Sequence, residues 1–204
     1  MNTDGHTYLL LVRHGQSTWN VEQRWQGQAD PPLSELGRRQ AGEAAAAIGA
    51  VDAIVASPLI RAAETAAIIS SVIGVGPVQL DEGMLERDAG AWSGLTTAEI
   101  EATHPGWIVD GRRPEGWEHD HDLLPRVLDA IGRIVVELAG ATVLVVCHGG
   151  VIATLEQHLG VADGRVPNLA GRIILARPGG IDAGDRLELL PPELVTGGTG
   201  RARV

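Results

Sequence analysis

The chain has 204 residues, enough for one substantial domain that buries roughly 70% of its unfolded surface without staples. Its 16 basic and 26 acidic residues leave a net charge of −10, which argues against a broad electrostatic grip on nucleic acid or an anionic membrane. All 16 basic residues are arginine and there is one cysteine, Cys147. That excludes lysine Schiff bases, pyridoxal attachment, intramolecular disulfides and multi-cysteine metal sites.

In chain order, Met1 to His6 lacks the basic start of a secretory signal, and no run approaches the ~18 apolar residues of a membrane span. The expectation is a cytoplasmic protein. Tyr8 to Val12 is a continuous apolar run that predicts a strand buried on both faces, ended by Gly15. Ser34 is placed to cap a helix through Ala50. Asp52 to Ala56 predicts a second strand, and Ser57 a cap for a helix through Ile73 with Pro58 in its first position. From about Met84 to Asp122 the rhythm breaks into glycines, charges and three tryptophans, which predicts an inserted cap. Leu123 to Leu138 reads as helix, Thr142 to Cys147 as strand, and Val151 to Leu159 as helix. Gly171 to Arg177 and Arg186 to Leu190 read as short strands, and the tail over 191–204 is expected to fray. Strands alternating with helices predict an α/β fold over residues 1–204, with a largely parallel sheet covered on both faces.

Ligands of open parallel sheets bind beyond the carboxyl ends of the strands. Three such ends carry polar residues: Arg13-His14-Gly15, Ser57-Pro58-Leu59-Ile60-Arg61 and His148-Gly149-Gly150. Leu85-Glu86-Arg87 adds a carboxylate from the irregular segment. Two guanidinium groups can clamp a phosphate, and a helix starting at Gly149 adds backbone donors. A neutral imidazole can attack phosphorus, and a carboxylic acid can protonate the departing oxygen. Such chemistry requires no metal or other cofactor, because the arginines and second histidine supply positive charge.

The segment Arg13-His14-Gly15-Gln16-Ser17-Thr18-Trp19-Asn20 resembles the signature of the histidine phosphatase superfamily, which includes the cofactor-dependent phosphoglycerate mutases. Leu33 to Gly37, Ser57 to Ala66, Leu85 to Thr96 and His148 to Gly150 follow in the family's order. The resemblance implies a three-layer α/β/α sandwich and a phosphohistidine formed on His14. It implies a phosphate pocket of Arg13, Arg61 and His148, with Glu86 as proton donor. Ser17, Asn20, Gln26, Gly27 and Gly149 match positions near the phosphate or the rest of the substrate.

The favoured expectation is a phosphomonoester hydrolase acting on a small phosphorylated metabolite. Its partner is then a small molecule, not nucleic acid or membrane; a homodimer is open, since some relatives dimerise. The alternative is a phosphoglycerate mutase-type phosphotransferase, and a third reading is a non-catalytic phospho-ligand module. A short chain and Gly150, where the mutases typically place asparagine, lean toward hydrolysis. Arg112 and Arg113 lean the other way, since the mutases carry a paired arginine there that grips a carboxylate; the alternative is a solvated arginine pair in the cap. Trp117-Glu118-His119 stands where many relatives have Gly-Glu-Ser, so cap contacts do not carry over. The run Gly116 to Asp122 reads as a solvated acidic loop before a metal site, and Cys147 as a packed core residue. His6, His104 and His158 read as surface residues. Trp107 and Trp117 are candidates for an apolar pocket wall.

Overall fold

A computed structural model describes residues 5–196 of the chain. The strands are β1 (Thr7–Arg13), β2 (Ala53–Ala56), β3 (Val78–Leu80), β4 (Thr142–Cys147), β5 (Ala170–Arg177) and β6 (Gly180–Glu188). The helices are α1 (Thr18–Val21), α2 (Glu35–Ala47), α3 (Ile60–Ile73), α4 (Thr97–Thr103), α5 (Asp120–Glu137) and α6 (Gly149–His158). One sheet forms in the order β3-β2-β4-β1-β5-β6. Its first four strands are parallel, β5 runs antiparallel to β1, and β6 runs antiparallel to β5.

Side chains of a strand alternate between faces, and β4 shows why this one needs cover on both. Val143, Val145 and Cys147 join Leu9, Leu11 and the apolar faces of α5 and α6. Leu144 and Val146 join Val12, Ile54 and the alanine-rich faces of α2 and α3. Each fully buried Leu, Ile or Val contributes about 1.5–3 kcal/mol of transfer free energy, so a central strand with no polar face fits only between two helical layers. The arrangement is the expected three-layer sandwich. Among the described residues no helix is long and apolar enough to cross a membrane.

Several boundaries differ from the sequence expectation, each for a local reason. Ser57 does not cap a helix: its N–H still pairs with the Val146 carbonyl (2.9 Å) at the sheet edge of the turn. α3 therefore starts at Ile60, whose N–H is taken by Asp30 Oδ1 at 2.7 Å. α2 stops at Ala47, short of Ala50, while Ser34 caps it as expected through Gly37 N–H. α5 begins at Asp120, where Asp120 and Asp122 complement the positive end of the helix dipole. β3, with three residues, has too little pattern to announce itself. β6 starts at Gly180 because Pro178 and Gly179 turn the chain directly back on β5.

The stretch over 84–122 follows the 3₁₀ turn Glu82–Met84 and holds a second such turn, Gly90–Trp92, then α4, loops and the first residues of α5. The tail is held through Thr196: Gln40 Nε2 donates to the Leu194 carbonyl (2.8 Å) and to Thr196 Oγ1 (2.9 Å). Residues 197–204 of the segment expected to fray lie outside the described residues.

Candidate active site

Strand register brings the polar ends together. Arg13 pairs with Cys147 across β1 and β4, and Ala56 with Val146 across β2 and β4. The residues just beyond, His14, Ser57 and His148, therefore emerge side by side. His14 N–H is held by the Cys147 carbonyl at 3.0 Å, and the two imidazoles meet edge to face with centroids 5.2 Å apart. Both rings are buried.

His14 Nδ1 lies 2.6 Å from the Gly15 carbonyl. A carbonyl only accepts, so the proton sits on Nδ1 and Nε2 keeps a free lone pair. Burial, then Arg61 and Arg13, hold the His14 pKa well below its ordinary value. The ring is therefore neutral, the state that can attack. Gly15 itself lies against the Gly37 backbone, where an added Cβ would come within 2.6 Å of the carbonyl oxygen. This close approach seats the histidine loop on the start of α2.

Arg61 is fully buried in the first turn of α3. Its Nη1 donates to the Ala29 carbonyl (2.7 Å) and Nη2 to the Gly27 carbonyl (2.9 Å). Arg13 Nη1 donates to the Val166 carbonyl at 2.8 Å. Burial, reinforced by Arg165, lowers Arg13 to about 10, and burial lowers Arg61 to about 10, so both stay charged at neutral pH. Burial, then Arg61, His14 and Arg13, keep His148 neutral too. Arg13 Nε, Arg61 Nε and His148 Nδ1 are buried without a hydrogen-bond partner. Three unpartnered buried nitrogens beside one free imidazole lone pair are costly unless an acceptor arrives.

The Glu86 carboxylate accepts from Arg87 N–H (2.8 Å) and Gly150 N–H (3.1 Å) at the start of α6. A Cβ on residue 150 would fall on Glu86 Oε1, so Gly150 is what lets the carboxylate rest there. Gly149 opens α6 beside the Arg13 side chain.

The remaining expected positions divide. Gln26 and Gly27 adjoin the site, Gly27 through its carbonyl on Arg61. Ser17 is turned to local work: its hydroxyl donates to Gln26 Oε1 (2.8 Å) and accepts Asn20 N–H (3.1 Å), capping α1. Asn20 Oδ1 accepts from Ser17 N–H (3.0 Å), closing that box. Two site neighbours escaped the sequence reading. Ser57 Oγ lies 2.8 Å from His148 Nε2, and buried Asn168 Nδ2 donates to the His14 carbonyl at 2.8 Å. Asn168 has no local signal, because only the antiparallel pairing of β5 with β1 carries it to His14.

Trp92 and Trp117 of the 84–122 stretch pack edge to face with each other and with Trp25, with centroids 5.6–5.9 Å apart. Arg113 lies over Trp117 at 5.0 Å, whereas Arg112 turns out to Asp110 (2.8 Å) and Trp107. The arginine pair is thus split, and Trp107 meets His104 edge to face, outside the aromatic cluster. The run expected as a solvated loop is partly built in: half-buried Glu118 pairs with Arg126 at 2.6 Å. Burial opposes the Glu118 charge most strongly of any single cause, but the hydrogen bonds and charge of Arg126, the Asp88 N–H and Arg87 together outweigh it and hold the pKa below its ordinary value. His119 and His121 stack, and among the described residues no three metal-binding side chains converge. His6 contacts Arg177 at 2.9 Å.

A buried ring of donors around a neutral nucleophile at the carboxyl ends of parallel strands can receive a tetrahedral oxyanion and bond to it. The chain belongs to the histidine phosphatase superfamily (branch 1), whose model matches residues 9–170. It is 41% identical over 150 residues to a bifunctional protein of Mycobacterium tuberculosis, covering 70% of this chain and 41% of that protein. The chain thus spans about two fifths of that relative's length. It is 39% identical over 166 residues to a glucosyl-3-phosphoglycerate phosphatase of Mycobacterium tuberculosis, covering 74% of each. A solved mycobacterial glucosyl-3-phosphoglycerate phosphatase in complex with VO3 superposes with a TM-score of 0.74 at 33% identity, over 83% of this chain and 90% of that one.

Proposed function

We propose that this protein hydrolyses a small phosphomonoester through a phosphohistidine on His14. The observation that carries the reading is the set of unpartnered buried nitrogens on Arg13, Arg61 and His148 around the free Nε2 of His14. In the first step Nε2 attacks phosphorus, the ester P–O bond breaks, and the Glu86 carboxyl delivers a proton to the leaving oxygen. In the second, Glu86 takes a proton from water as that water attacks phosphorus. The P–N bond breaks and orthophosphate leaves. The arginines and the His148 donor hold the phosphoryl oxygens throughout, where burial strengthens each charge-assisted hydrogen bond.

The leaving group is inferred to be an alcohol bearing an acid group. Arg113 is held over Trp117 and Trp92, and burial lowers its pKa, which indicates a cation partly withdrawn from water. Glucosyl-3-phosphoglycerate, named for the mycobacterial relatives, fits that class.

The test is orthophosphate release from a panel of phosphomonoesters in EDTA, including 3-phosphoglycerate and glucosyl-3-phosphoglycerate, by wild type and His14→Ala. Release that survives chelation and is lost in the variant supports the reading. Isomerisation of 3-phosphoglycerate without release would overturn it in favour of a mutase.

A further inference from the structure

Resting on the reading that His148 faces the bound phosphoryl group, we propose that Ser57 is a positioning residue that sets the tautomer of His148. Its hydroxyl would donate to His148 Nε2 and so leave the proton on Nδ1, where it serves the phosphate.

Hydrogen-bond capacity carries the argument. Ser57 is fully buried at the end of β2, fixed there by its own N–H on the Val146 carbonyl. Its Oγ meets two groups, the Leu59 N–H at 3.3 Å and His148 Nε2 at 2.8 Å. Leu59 N–H can only donate, so it occupies a lone pair of Oγ and the hydroxyl hydrogen must point elsewhere. His148 Nε2 is the one acceptor in reach among the described contacts. If Nε2 carried the ring proton instead, the hydroxyl hydrogen would be buried without an acceptor. His148 Nδ1 would then present a lone pair to an incoming phosphate oxygen, which is repulsive. With Ser57 donating, Ser57 Oγ and His148 Nε2 are both satisfied, and Nδ1–H is left as the buried, unpartnered donor of that pair, the one a phosphate oxygen would take.

The same serine ties two parts of the pocket together. Leu59 is the residue that precedes α3, and Arg61 stands in the first turn of that helix. The Ser57 hydroxyl therefore links the turn that aims Arg61 to the ring that flanks His14. His14 has its own device for the same purpose, the Gly15 carbonyl on Nδ1. The two imidazoles so acquire opposite exposed faces: a lone pair on His14 Nε2 and a proton on His148 Nδ1. One attacks while the other holds.

The experiment is a long-range ¹H–¹⁵N imidazole spectrum of the free protein near neutral pH, with the His148 signals assigned through His148→Gln. The expected result is a protonated Nδ1 and an unprotonated Nε2 on His148. A protonated Nε2 in the wild type overturns the proposal, and needs no variant to fold. In Ser57→Ala the His148 tautomer is expected to move toward Nε2–H, and inhibition by orthophosphate to weaken about tenfold. Ser57→Thr, which keeps the hydroxyl, is expected to restore both. A Ser57→Ala spectrum and orthophosphate inhibition like those of the wild type would overturn it as well. Absence of orthophosphate release by the wild type would instead overturn the hydrolase reading, leaving the tautomer assignment to stand on its spectrum.

Discussion

The ends of β1, β2 and β4 hold their polar groups by backbone register, whereas the 84–122 stretch holds its own by stacked rings and half-exposed ion pairs. In the first region His14, Ser57, Arg61 and His148 are 2% exposed or less, and their geometry follows from strand pairing and short turns. In the second, half-buried Arg113 rests on tryptophan faces, and Arg112 pairs with Asp110, the two members of that pair being more than half exposed. Surface pairs of that kind are worth only about 0–1 kcal/mol, and they can rearrange with little cost. A phosphoryl group has one shape, so its pocket can be rigid; the alcohols that carry it differ, so the part that meets them can be loosely held. In the proposed reading, the contrast gives chemistry to the strand ends and selectivity to the aromatic segment.

The largest effect should come from the nucleophile: His14→Ala is expected to lower orthophosphate release by at least about four orders of magnitude. Comparable loss from an Arg113 variant on every substrate would erase the contrast between the two regions. Next is the seat of the acid. Gly150→Ala should push the Glu86 carboxylate off the α6 amide and cut kcat by about tenfold to a hundredfold on alkyl phosphates, with less loss on p-nitrophenyl phosphate, whose leaving group needs no proton. Equal losses on both ester types would mean that the substitution disturbs something other than proton delivery.

The buried histidines should leave a mark on stability. His14 and His148 have pKa values well below 6.5 in the fold, because burial and the neighbouring arginines disfavour their charge. An unfolded histidine titrates near 6.5, so below that pH the unfolded chain binds protons that the folded chain refuses. Stability is therefore expected to fall as pH drops below about 6.5, by up to about 1.4 kcal/mol per pH unit for each histidine. Urea melts at pH 7.5 and 5.5 on wild type and His14→Asn would separate one histidine's share. An unchanged slope in the variant would contradict the assignment. The neutral His14 also predicts that the acid limb of kcat lies below pH 6.5.

The smallest effects sharpen the selectivity half of the comparison. Arg113→Ala is expected to raise KM about fivefold for a phosphorylated acid and to leave a neutral ester unchanged, in keeping with the loss of one partly exposed charge contact. Trp117→Ala should alter substrate preference, and Trp107→Ala should not, because Trp107 packs edge to face with His104 apart from the three-ring cluster. A KM panel across acid and neutral esters distinguishes these outcomes.

Much of the strand-end region was legible without coordinates. Apolar runs that stop at Arg13-His14-Gly15 and at His148-Gly149-Gly150 announce buried parallel strands with polar ends, since a strand without a polar face must be covered on both sides. The ordered motifs then pointed to Arg61 and Glu86. Ser17 caps α1 through its hydroxyl, a contact that its place beside the histidine motif did not announce.

The amino-acid order by itself determined that β1, β2 and β4 exist, that their ends carry the histidines and arginines, and that no lysine is available to form a Schiff base. Those properties reside in local composition and period. Only the tertiary structure decided that Ser57 meets His148 across 91 residues and that Asn168 meets His14 across 154. It also decided that Gly150 makes room for Glu86 and that Arg112 and Arg113 part company. Each of these rests on which strand pairs with which, and on how closely two backbones approach. Periodicity records that a side chain is buried; it does not record against what.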